Sequence, residues 1–316
     1  MPTKKALITY DAAAADLERM RAVSESVLIA KAPTVEEALE QASDADIVFA
    51  GRWSEELWKS APRLGWVQSW GAGVERFLTP GFVATPIQLT NAKGIYAIPI
   101  AEHVIGFMLY FARGFHHMVQ SQMYRRWDWR QAEEVSGKTL GIVGLGGIGA
   151  EVARRAKTFG MRVIATRRRP ELPAECADDV RRSDQLPWLL AESDFLALCT
   201  ALTAETRHLI GIEELKLMKP TAYVINVGRG GLIDEEGLID ALQEDRIAGA
   251  GLDVFEEEPL PAESPLWTLP NVLITPHNAG SSPRSHERLI DLFCENLRRY
   301  LAGDPLLNVV DKKAGY

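Results

Sequence analysis

Residues 138–156 read KTLGIVGLGGIGAEVARRA, and this stretch decides the fold of the chain. It reads as a short apolar strand, a glycine-rich turn and a helix that begins with small residues. The spacing Gly144-x-Gly146-x-x-Gly149 fits the dinucleotide-binding fingerprint, in which glycines allow a tight turn, close approach of a pyrophosphate and packing of helix on strand. The start of the helix offers N–H groups to phosphates. We therefore predict that a dinucleotide contacts Gly144, Gly146, Gly147, Ile148 and Gly149.

The next predicted strand indicates which dinucleotide binds. The strand, at 161–165, ends where NAD enzymes place an acidic residue against the ribose 2′-hydroxyl. This chain has Thr166-Arg167-Arg168-Arg169 instead. A carboxylate would repel a 2′-phosphate, whereas guanidinium groups bind one through paired hydrogen bonds. We predict NADP(H) as the preferred cofactor, held by Thr166, Arg167 and Arg168. NAD(H) is possible, and a basic run that only faces water is the alternative.

Composition and charge exclude several classes of protein. The chain has 316 residues, 47% hydrophobic and 25% charged, which is ordinary for a globular protein of two domains. Its net charge of −8 provides no basic field for nucleic acid or an anionic membrane. The longest apolar stretch, 98–111, is interrupted by Glu102 and His103, which argues against a membrane span. The apolar segment at 6–10 is too short for the apolar region of a signal peptide. We expect a cytoplasmic protein that binds neither nucleic acid nor membrane.

The three cysteines carry little chemistry in this sequence. Cys176, Cys199 and Cys294 form no CxxC pair and have no histidine at metal-ligand spacing. A disulfide framework is not expected, and a reducing compartment fits. We predict no metal site, and we interpret Cys199 as a small buried residue rather than a nucleophile.

Strand and helix signals alternate along the whole chain, which predicts parallel sheets covered by helices on both faces. The predicted strands lie at 5–10, 27–30, 47–50, 66–69, 87–90, 139–143, 162–165, 195–198, 222–226, 248–252 and 272–275. The fold class is α/β with two domains, both doubly wound parallel sheets. A flavodoxin-like substrate domain at 1–98 is completed by 281–316, and a Rossmann coenzyme domain covers 99–280.

Two long helices and a capping box complete this prediction. Apolar spacing predicts helices over 97–114 and 283–302, and Thr34 with Glu37 predicts a capping box. Glu102 and His103 are adjacent on the first of these helices. Neighbouring helix residues do not face each other, so we interpret the two as a structural pair and not as a catalytic dyad.

Residues 118–137 are polar and carry Trp127 and Trp129, which indicates an arm. Two exposed tryptophans on an arm are typical of a partner surface, so we predict a homodimer. Packing of the arm on its own subunit is the alternative.

Three stretches near the ends of late strands carry groups suited to hydride transfer to a 2-keto acid. They are 226–231, 251–259 and 275–280, and they contain Arg229, an acidic run and His277. An arginine can hold the carboxylate of the substrate and polarise its carbonyl. A histidine can protonate the developing alkoxide, and a neighbouring carboxylate stabilises the imidazolium. Singly, these residues could be a surface charge, a helix cap and a solvated turn.

These motifs together resemble the D-isomer-specific 2-hydroxyacid dehydrogenases over almost the whole chain. The similarity rests on 71–74 (GAGV), the glycines of 144–149, 202–206 (LTAET), 228–230 (GRG), Asp253-Val254-Phe255 with Glu258-Pro259, and Pro276-His277. The resemblance implies that Arg229 binds and polarises the substrate and that His277 is the general acid/base. It implies that Glu258, not Glu256 or Glu257, pairs with His277.

The resemblance also implies the remaining contacts of cofactor and substrate. Asp253 contacts the nicotinamide carboxamide, and the backbone of Ala72, Gly73 and Val74 receives the substrate carboxylate. We also place Thr200 and Val227 in the cofactor site.

Within the family, the basic run after the second strand is similar to that of NADPH-preferring glyoxylate/hydroxypyruvate reductases. This implies reduction of a small 2-keto acid to the D-2-hydroxy acid. The chain departs from the family at 199–203 (CTALT), and Trp53 and Trp70 are candidates to line the pocket. Two other readings stay open: a cofactor-sensing corepressor-like binding protein and a phosphite-type dehydrogenase on the same fold.

Overall fold

The computed structural model describes residues 4–315, which divide into two compact units. The first unit runs to Tyr96 and resumes at Ser282, and the second unit is Ala97–Ser281.

The strands are β1 (Lys4–Ile8), β2 (Val27–Lys31), β3 (Ile47–Ala50), β4 (Trp66–Ser69), β5 (Gln88–Thr90), β6 (Thr139–Val143), β7 (Arg162–Thr166), β8 (Asp179–Arg181), β9 (Phe195–Leu198), β10 (Tyr223–Asn226), β11 (Gly249–Leu252) and β12 (Val272–Ile274). The helices are α1 (Ala14–Arg21), α2 (Val35–Glu40), α3 (Glu55–Lys59), α4 (Pro80–Val83), α5 (Ala97–Ala112), α6 (Phe115–Met123), α7 (Gly147–Thr158), α8 (Leu186–Glu192), α9 (Ile212–Lys216), α10 (Glu235–Gln243) and α11 (Pro283–Ala302). Short 3₁₀ turns lie at Glu75–Phe77, Ser183–Gln185, Gly230–Leu232 and Pro265–Trp267.

The first unit is a five-stranded sheet in the order β2-β1-β3-β4-β5, with every neighbouring pair parallel. Its strands are apolar on both sides because helices cover both faces. On one face Phe293 of α11 stacks on Phe49 and Trp66, with ring centroids 4.4 and 5.5 Å apart. The predicted capping box of Thr34 is present at the start of α2.

The second unit is a seven-stranded parallel sheet in the order β12-β11-β10-β9-β6-β7-β8. The chain starts at β6, winds out through β7 and β8, and then returns to the other side of β6 through β9. This reversal creates a crevice at the carboxyl ends of β6 and β9, which is where doubly wound sheets bind ligands. The predicted α/β class with two parallel sheets is confirmed.

The structure adds two elements that the pattern did not predict. β8 has only three residues, two of them charged, so its sequence carries no apolar strand signal. α6 occupies the first part of the predicted arm, and none of its residues is buried, so no apolar stripe marked it. In the described part of the chain, no helix has both the length and the hydropathy to cross a bilayer.

Candidate active site

The glycine turn after β6 is held by two positions that have no room for a side chain. Gly144 has a φ of +95°, and a Cβ there would come within 2.9 Å of the backbone of Thr200. A Cβ on Gly149 would overlap the carbonyl oxygen of Gly144. Both glycines therefore allow α7 to begin directly against β6 and β9, as the fingerprint requires.

The next two glycines leave open space above the turn. Beyond its chain neighbours and the backbone of its own helix, a Cβ on Gly146 or Gly147 would meet no atom of residues 4–315 within 4 Å. Gly146 precedes α7, and no side chain caps the first N–H groups of this helix. Open space in front of uncapped N–H groups fits a pyrophosphate, so the residues here suit a dinucleotide.

The basic run lies at the carboxyl end of β7, where the ribose of a dinucleotide would lie. Thr166 is the buried last residue of this strand, and Arg168 and Arg169 are exposed. Arg167 points elsewhere, because its guanidinium donates to the backbone carbonyls of Pro170, Leu172 and Pro173. The loop at 170–173 is thus fastened by Arg167.

Two other predicted cofactor residues flank the crevice. Thr200 follows β9 and approaches Gly144, and Val227 is a buried residue after β10. Cys199 lies beside Thr200, and burial raises the pKa of its thiol to about 12. A thiol with this pKa stays protonated at neutral pH, which fits a packing residue rather than a nucleophile, although Cys199 is half-buried and not fully buried as predicted.

The loop after β10 carries Arg229 and is shaped by a residue that the sequence analysis missed. Asn226 is buried, donates to the carbonyl of Arg229 at 2.9 Å and accepts from the N–H of Gly228 at 3.1 Å. An Asn-x-Gly sequence at the end of a strand is typical of such an Asx turn, so a signal existed. A Cβ on Gly230 would overlap the carbonyl of Phe255, which shows how closely the loops after β10 and β11 approach.

His277, in the loop after β12, pairs with Glu258 in the loop after β11. The Nδ1 atom of His277 lies 2.7 Å from Oε2 of Glu258, and Oε1 of Glu258 accepts from the N–H of Phe255 at 3.1 Å. The two side chains are 49% and 35% exposed. The carboxylate thus occupies one ring nitrogen of His277 and leaves Nε2 for chemistry.

The other two members of the acidic run have different surroundings. Oε1 of Glu256 lies 2.6 Å from Nε2 of His208. The backbone N–H of Glu256 donates to the carboxylate of Glu235 at 3.1 Å. Burial, together with the charges of Glu256 and Glu257, raises the pKa of the Glu235 carboxyl. Glu258 is therefore the member of the run that contacts His277.

Asp253 organises the loop that carries His277. Its Oδ1 accepts from the hydroxyl of Thr275 at 2.6 Å and from the N–H of Asn278 at 2.9 Å, and its Oδ2 accepts from the N–H of Ala279 at 3.0 Å. A carboxylate has about four acceptor positions, so one position on Oδ2 is left for another donor. An amide such as the nicotinamide carboxamide is a donor of the suitable kind.

The order of the strands places these groups along one edge of the sheet. Arg229 follows β10, Glu258 follows β11 and His277 follows β12, and these strands are neighbours in the sheet. The glycine turn, Thr200 and Thr166 follow β6, β9 and β7, further along the same carboxyl edge.

In the first unit, the loop after β4 exposes its N–H groups. The carbonyls of Trp70, Gly71 and Ala72 accept from Tyr96 Oη (2.7 Å), Ala92 N (3.1 Å) and Asn91 Nδ2 (2.9 Å). With the carbonyls anchored, the N–H groups of Ala72, Gly73 and Val74 have no acceptor among residues 4–315. Consecutive unpaired N–H groups form a nest that suits an anion.

Both tryptophans suggested as pocket residues pack within the first unit. The ring of Trp70 lies edge-on to Tyr10, with centroids 4.3 Å apart, and Trp53 packs on Phe77 and Phe82 at 5.0 and 5.1 Å. Each ring has an aromatic packing role there.

Comparison with known proteins assigns this architecture to a family. The family model for the NAD binding domain of D-isomer specific 2-hydroxyacid dehydrogenases matches residues 105–279. The chain therefore belongs to the D-isomer specific 2-hydroxyacid dehydrogenase family, and the predicted resemblance is confirmed. It is an enzyme that uses a nicotinamide cofactor and acts on 2-keto and 2-hydroxy acids.

Three relatives illustrate the similarity. A D-3-phosphoglycerate dehydrogenase from Methanocaldococcus jannaschii is 37% identical over 90% of this chain, which spans 55% of that protein's length. A glyoxylate reductase from Korarchaeum cryptofilum is 37% identical over 82% of this chain and 79% of its own length. The crystal structure of an NADPH-dependent glyoxylate/hydroxypyruvate reductase from Sinorhizobium meliloti, in complex with NADP and sulfate, covers 99% of this chain and 100% of its own, with a TM-score of 0.87 and 28% identity.

Proposed function

We propose that this protein reduces a small 2-keto acid of the glyoxylate or hydroxypyruvate type to the D-2-hydroxy acid with NADPH. The observation that carries the proposal is the contact of 2.7 Å between His277 and Glu258, beside the loop of Arg229. A histidine with one nitrogen on a carboxylate and the other available is the arrangement that general acid/base catalysis needs. The names of the relatives support the class of substrate.

The proton transfer follows from the pairing of His277. When bound, the nicotinamide supplies a hydride to the carbonyl carbon. Nε2 of protonated His277 donates its proton to the carbonyl oxygen, and the same nitrogen accepts that proton in the oxidation direction. Glu258 stabilises the imidazolium and keeps a proton on Nδ1, so that Nε2 is the exchanging site. Arg229 polarises the carbonyl and holds the substrate by its charge.

The nest of N–H groups after β4 in the first unit is complementary to a carboxylate. We propose that the N–H groups of Ala72, Gly73 and Val74 bind the substrate carboxylate, because the carbonyls of Trp70, Gly71 and Ala72 are already held by Tyr96, Ala92 and Asn91. N–H donors that are already held in place bind an anion without reorganising.

The preference for NADPH rests on the residues after β7. No acidic side chain stands at 166–169, and Arg168 and Arg169 are exposed at this edge. We propose that Arg168, with Thr166, contacts the 2′-phosphate. Arg167 contributes by holding the loop at 170–173, and its guanidinium reaches the phosphate only if it leaves those carbonyls. Asp253, Thr200 and Val227 complete the proposed cofactor contacts.

We also propose that the arm forms a homodimer. Trp127 is fully exposed and Trp129 is 82% exposed, and Met123 and Tyr124 beside them are more than two thirds exposed. Apolar side chains of this size in one segment favour a second protein surface. Sedimentation of the wild type should give a dimer, and replacing both tryptophans by serine should give monomers. A wild-type monomer would contradict this proposal.

The reductase proposal is tested by following oxidation of NADPH and NADH at 340 nm with glyoxylate, hydroxypyruvate, pyruvate and phenylpyruvate. Reduction of the small acids with NADPH in preference to NADH is the expected result. Phosphite oxidation without keto acid reduction would instead indicate a phosphite-type dehydrogenase. Tight NADPH binding without turnover of any acid would favour the corepressor-like reading.

A further inference from the structure

His103 on α5 connects this helix to the loop that carries His277. α5 lies against β11 because Gly251 has no side chain, and a Cβ there would come within 2.7 Å of the ring of Phe107. One turn earlier on the same helix, His103 lies edge-on to Phe107, with ring centroids 4.7 Å apart and planes at 87°. This packing brings Nε2 of His103 to 3.0 Å from the hydroxyl oxygen of Thr275. His103 and Glu102 are not a pair, because Glu102 faces Arg155 instead, at 3.7 Å.

The direction of the hydrogen bonds follows from the number of protons available. The Thr275 hydroxyl has one proton, and it lies 2.6 Å from Oδ1 of Asp253. Asp253 also accepts from two backbone N–H groups, so it acts here as an acceptor. Thr275 therefore donates to Asp253 and must accept a proton from Nε2 of His103. Burial lowers the pKa of His103 and outweighs the opposing charge of Asp253, which favours the neutral ring. The bond to Thr275 then places the hydrogen of the neutral ring on Nε2.

Asp253 connects the hydrogen bond from Thr275 to the backbone of the loop that carries His277. Its carboxylate holds the N–H groups of Asn278 and Ala279, and its own carbonyl accepts from the N–H of His277 at 2.8 Å. His277 has a φ of +51°, a left-handed conformation that residues other than glycine seldom adopt without support. The hydrogen bonds on both sides of it supply that support.

We propose that His103 is a positioning residue that, through Thr275 and Asp253, fixes the loop and thereby the orientation of the His277 ring. The inference rests on the proposed function, since it assumes that His277 exchanges the proton. His103 is assigned no contact with the substrate, because its Nε2 lies on the Thr275 hydroxyl. Its effect is expected on kcat, because a misdirected ring slows proton transfer even when ligands still bind.

The test compares two substitutions of the same residue. His103→Phe keeps an aromatic ring against Phe107 but removes the donor, whereas His103→Gln keeps an N–H donor of similar reach. We expect H103F to lower kcat for glyoxylate reduction about tenfold, the effect of one hydrogen bond, with the Kd for NADPH within about twofold of wild type. H103Q should recover most of the lost kcat. Glu102→Gln, one position away on the same helix, should leave kcat unchanged.

A second variant keeps the test valid if H103F folds poorly. Thr275→Val removes the hydroxyl, and H103F combined with T275V should be no slower than T275V alone, because both break the same chain of hydrogen bonds. Equal losses in H103F and H103Q, or additive losses in the double variant, would overturn the proposal. Activity retained by His277→Ala would instead overturn the proposed function, so the two failures are distinguishable.

Discussion

Nδ1 of His277 contacts Oε2 of Glu258 at 2.7 Å, whereas Glu256, two residues earlier, contacts His208 at 2.6 Å. One acidic run therefore makes two separate histidine pairs. Only the pair of Glu258 joins the loops after β11 and β12 at the edge where Arg229 lies. We therefore propose that Glu258 alone carries the chemistry of the run, and Glu256 serves as a control.

Glu258→Gln and Glu256→Gln make the same chemical change on two neighbouring histidine pairs. E258Q removes the charge that stabilises the His277 imidazolium, so kcat should fall by about 10²-fold or more. E256Q should leave kcat within about threefold of wild type. Steady-state kinetics with one keto acid at saturating NADPH measures both. Equal losses would mean that the run acts only through its summed charge.

Arg168→Asp tests the choice of cofactor. The substitution removes a cation and adds an anion near the proposed 2′-phosphate, so kcat/KM for NADPH should fall more than kcat/KM for NADH. Arg162→Asp makes the same charge change at the opposite end of β7. It should change kcat/KM for NADPH and for NADH by the same factor. If Arg168→Asp lowers kcat/KM equally for NADPH and NADH, the basic run only faces solvent.

Gly149→Ala and Gly146→Ala separate packing from binding at the same turn. The added methyl group at Gly149 overlaps the carbonyl of Gly144, so overpacking should lower the Tm by about 5 °C. The methyl group at Gly146 meets open space and should change the Tm by less than about 1 °C. Gly146→Ala should nevertheless weaken the binding of NADPH about tenfold or more, because the added methyl group fills the space assigned to the pyrophosphate. Wild-type NADPH affinity in G146A would contradict that assignment.

The fold was predictable because its signals are local and repeated. The apolar strands before 144–149 and before Arg229 and His277 could be found from residue type alone, and their alternation with helices then predicts parallel sheets. β8 could not be found, because a three-residue edge strand with Asp179 and Arg181 has no apolar pattern.

The directions of the side chains in the site could not be predicted from the sequence. The run of three arginines predicts a basic edge, yet only the structure shows Arg167 turned to the carbonyls of its own loop. The link from His103 to Thr275 joins residues 172 positions apart, so it depends on tertiary packing that no local pattern encodes.

Asp194 should make the stability of the second unit depend on pH. Burial alone would raise the pKa of its carboxyl, but hydrogen bonds from Lys219 and from the N–H of Thr139, both at 2.8 Å, outweigh burial and lower the pKa. A lowered folded-state pKa stabilises the protein above the unfolded value of about 4, and this stabilisation is lost as pH falls through the folded value. Asp194→Asn should therefore lower the Tm at pH 7, and the difference from wild type should shrink towards pH 3. A difference that stays constant with pH would refute the role of the charge.

The most direct test of the central claim is the turnover of His277→Ala with NADPH and glyoxylate or hydroxypyruvate, measured beside its Kd for NADPH. General acid catalysis contributes about 10²–10⁴-fold, so kcat should fall by that factor. The Kd for NADPH should stay within about twofold of wild type, because the predicted cofactor contacts lie elsewhere on the edge. Wild-type turnover in His277→Ala would contradict the assignment of His277 as the proton donor and, with it, the proposed reaction at this site.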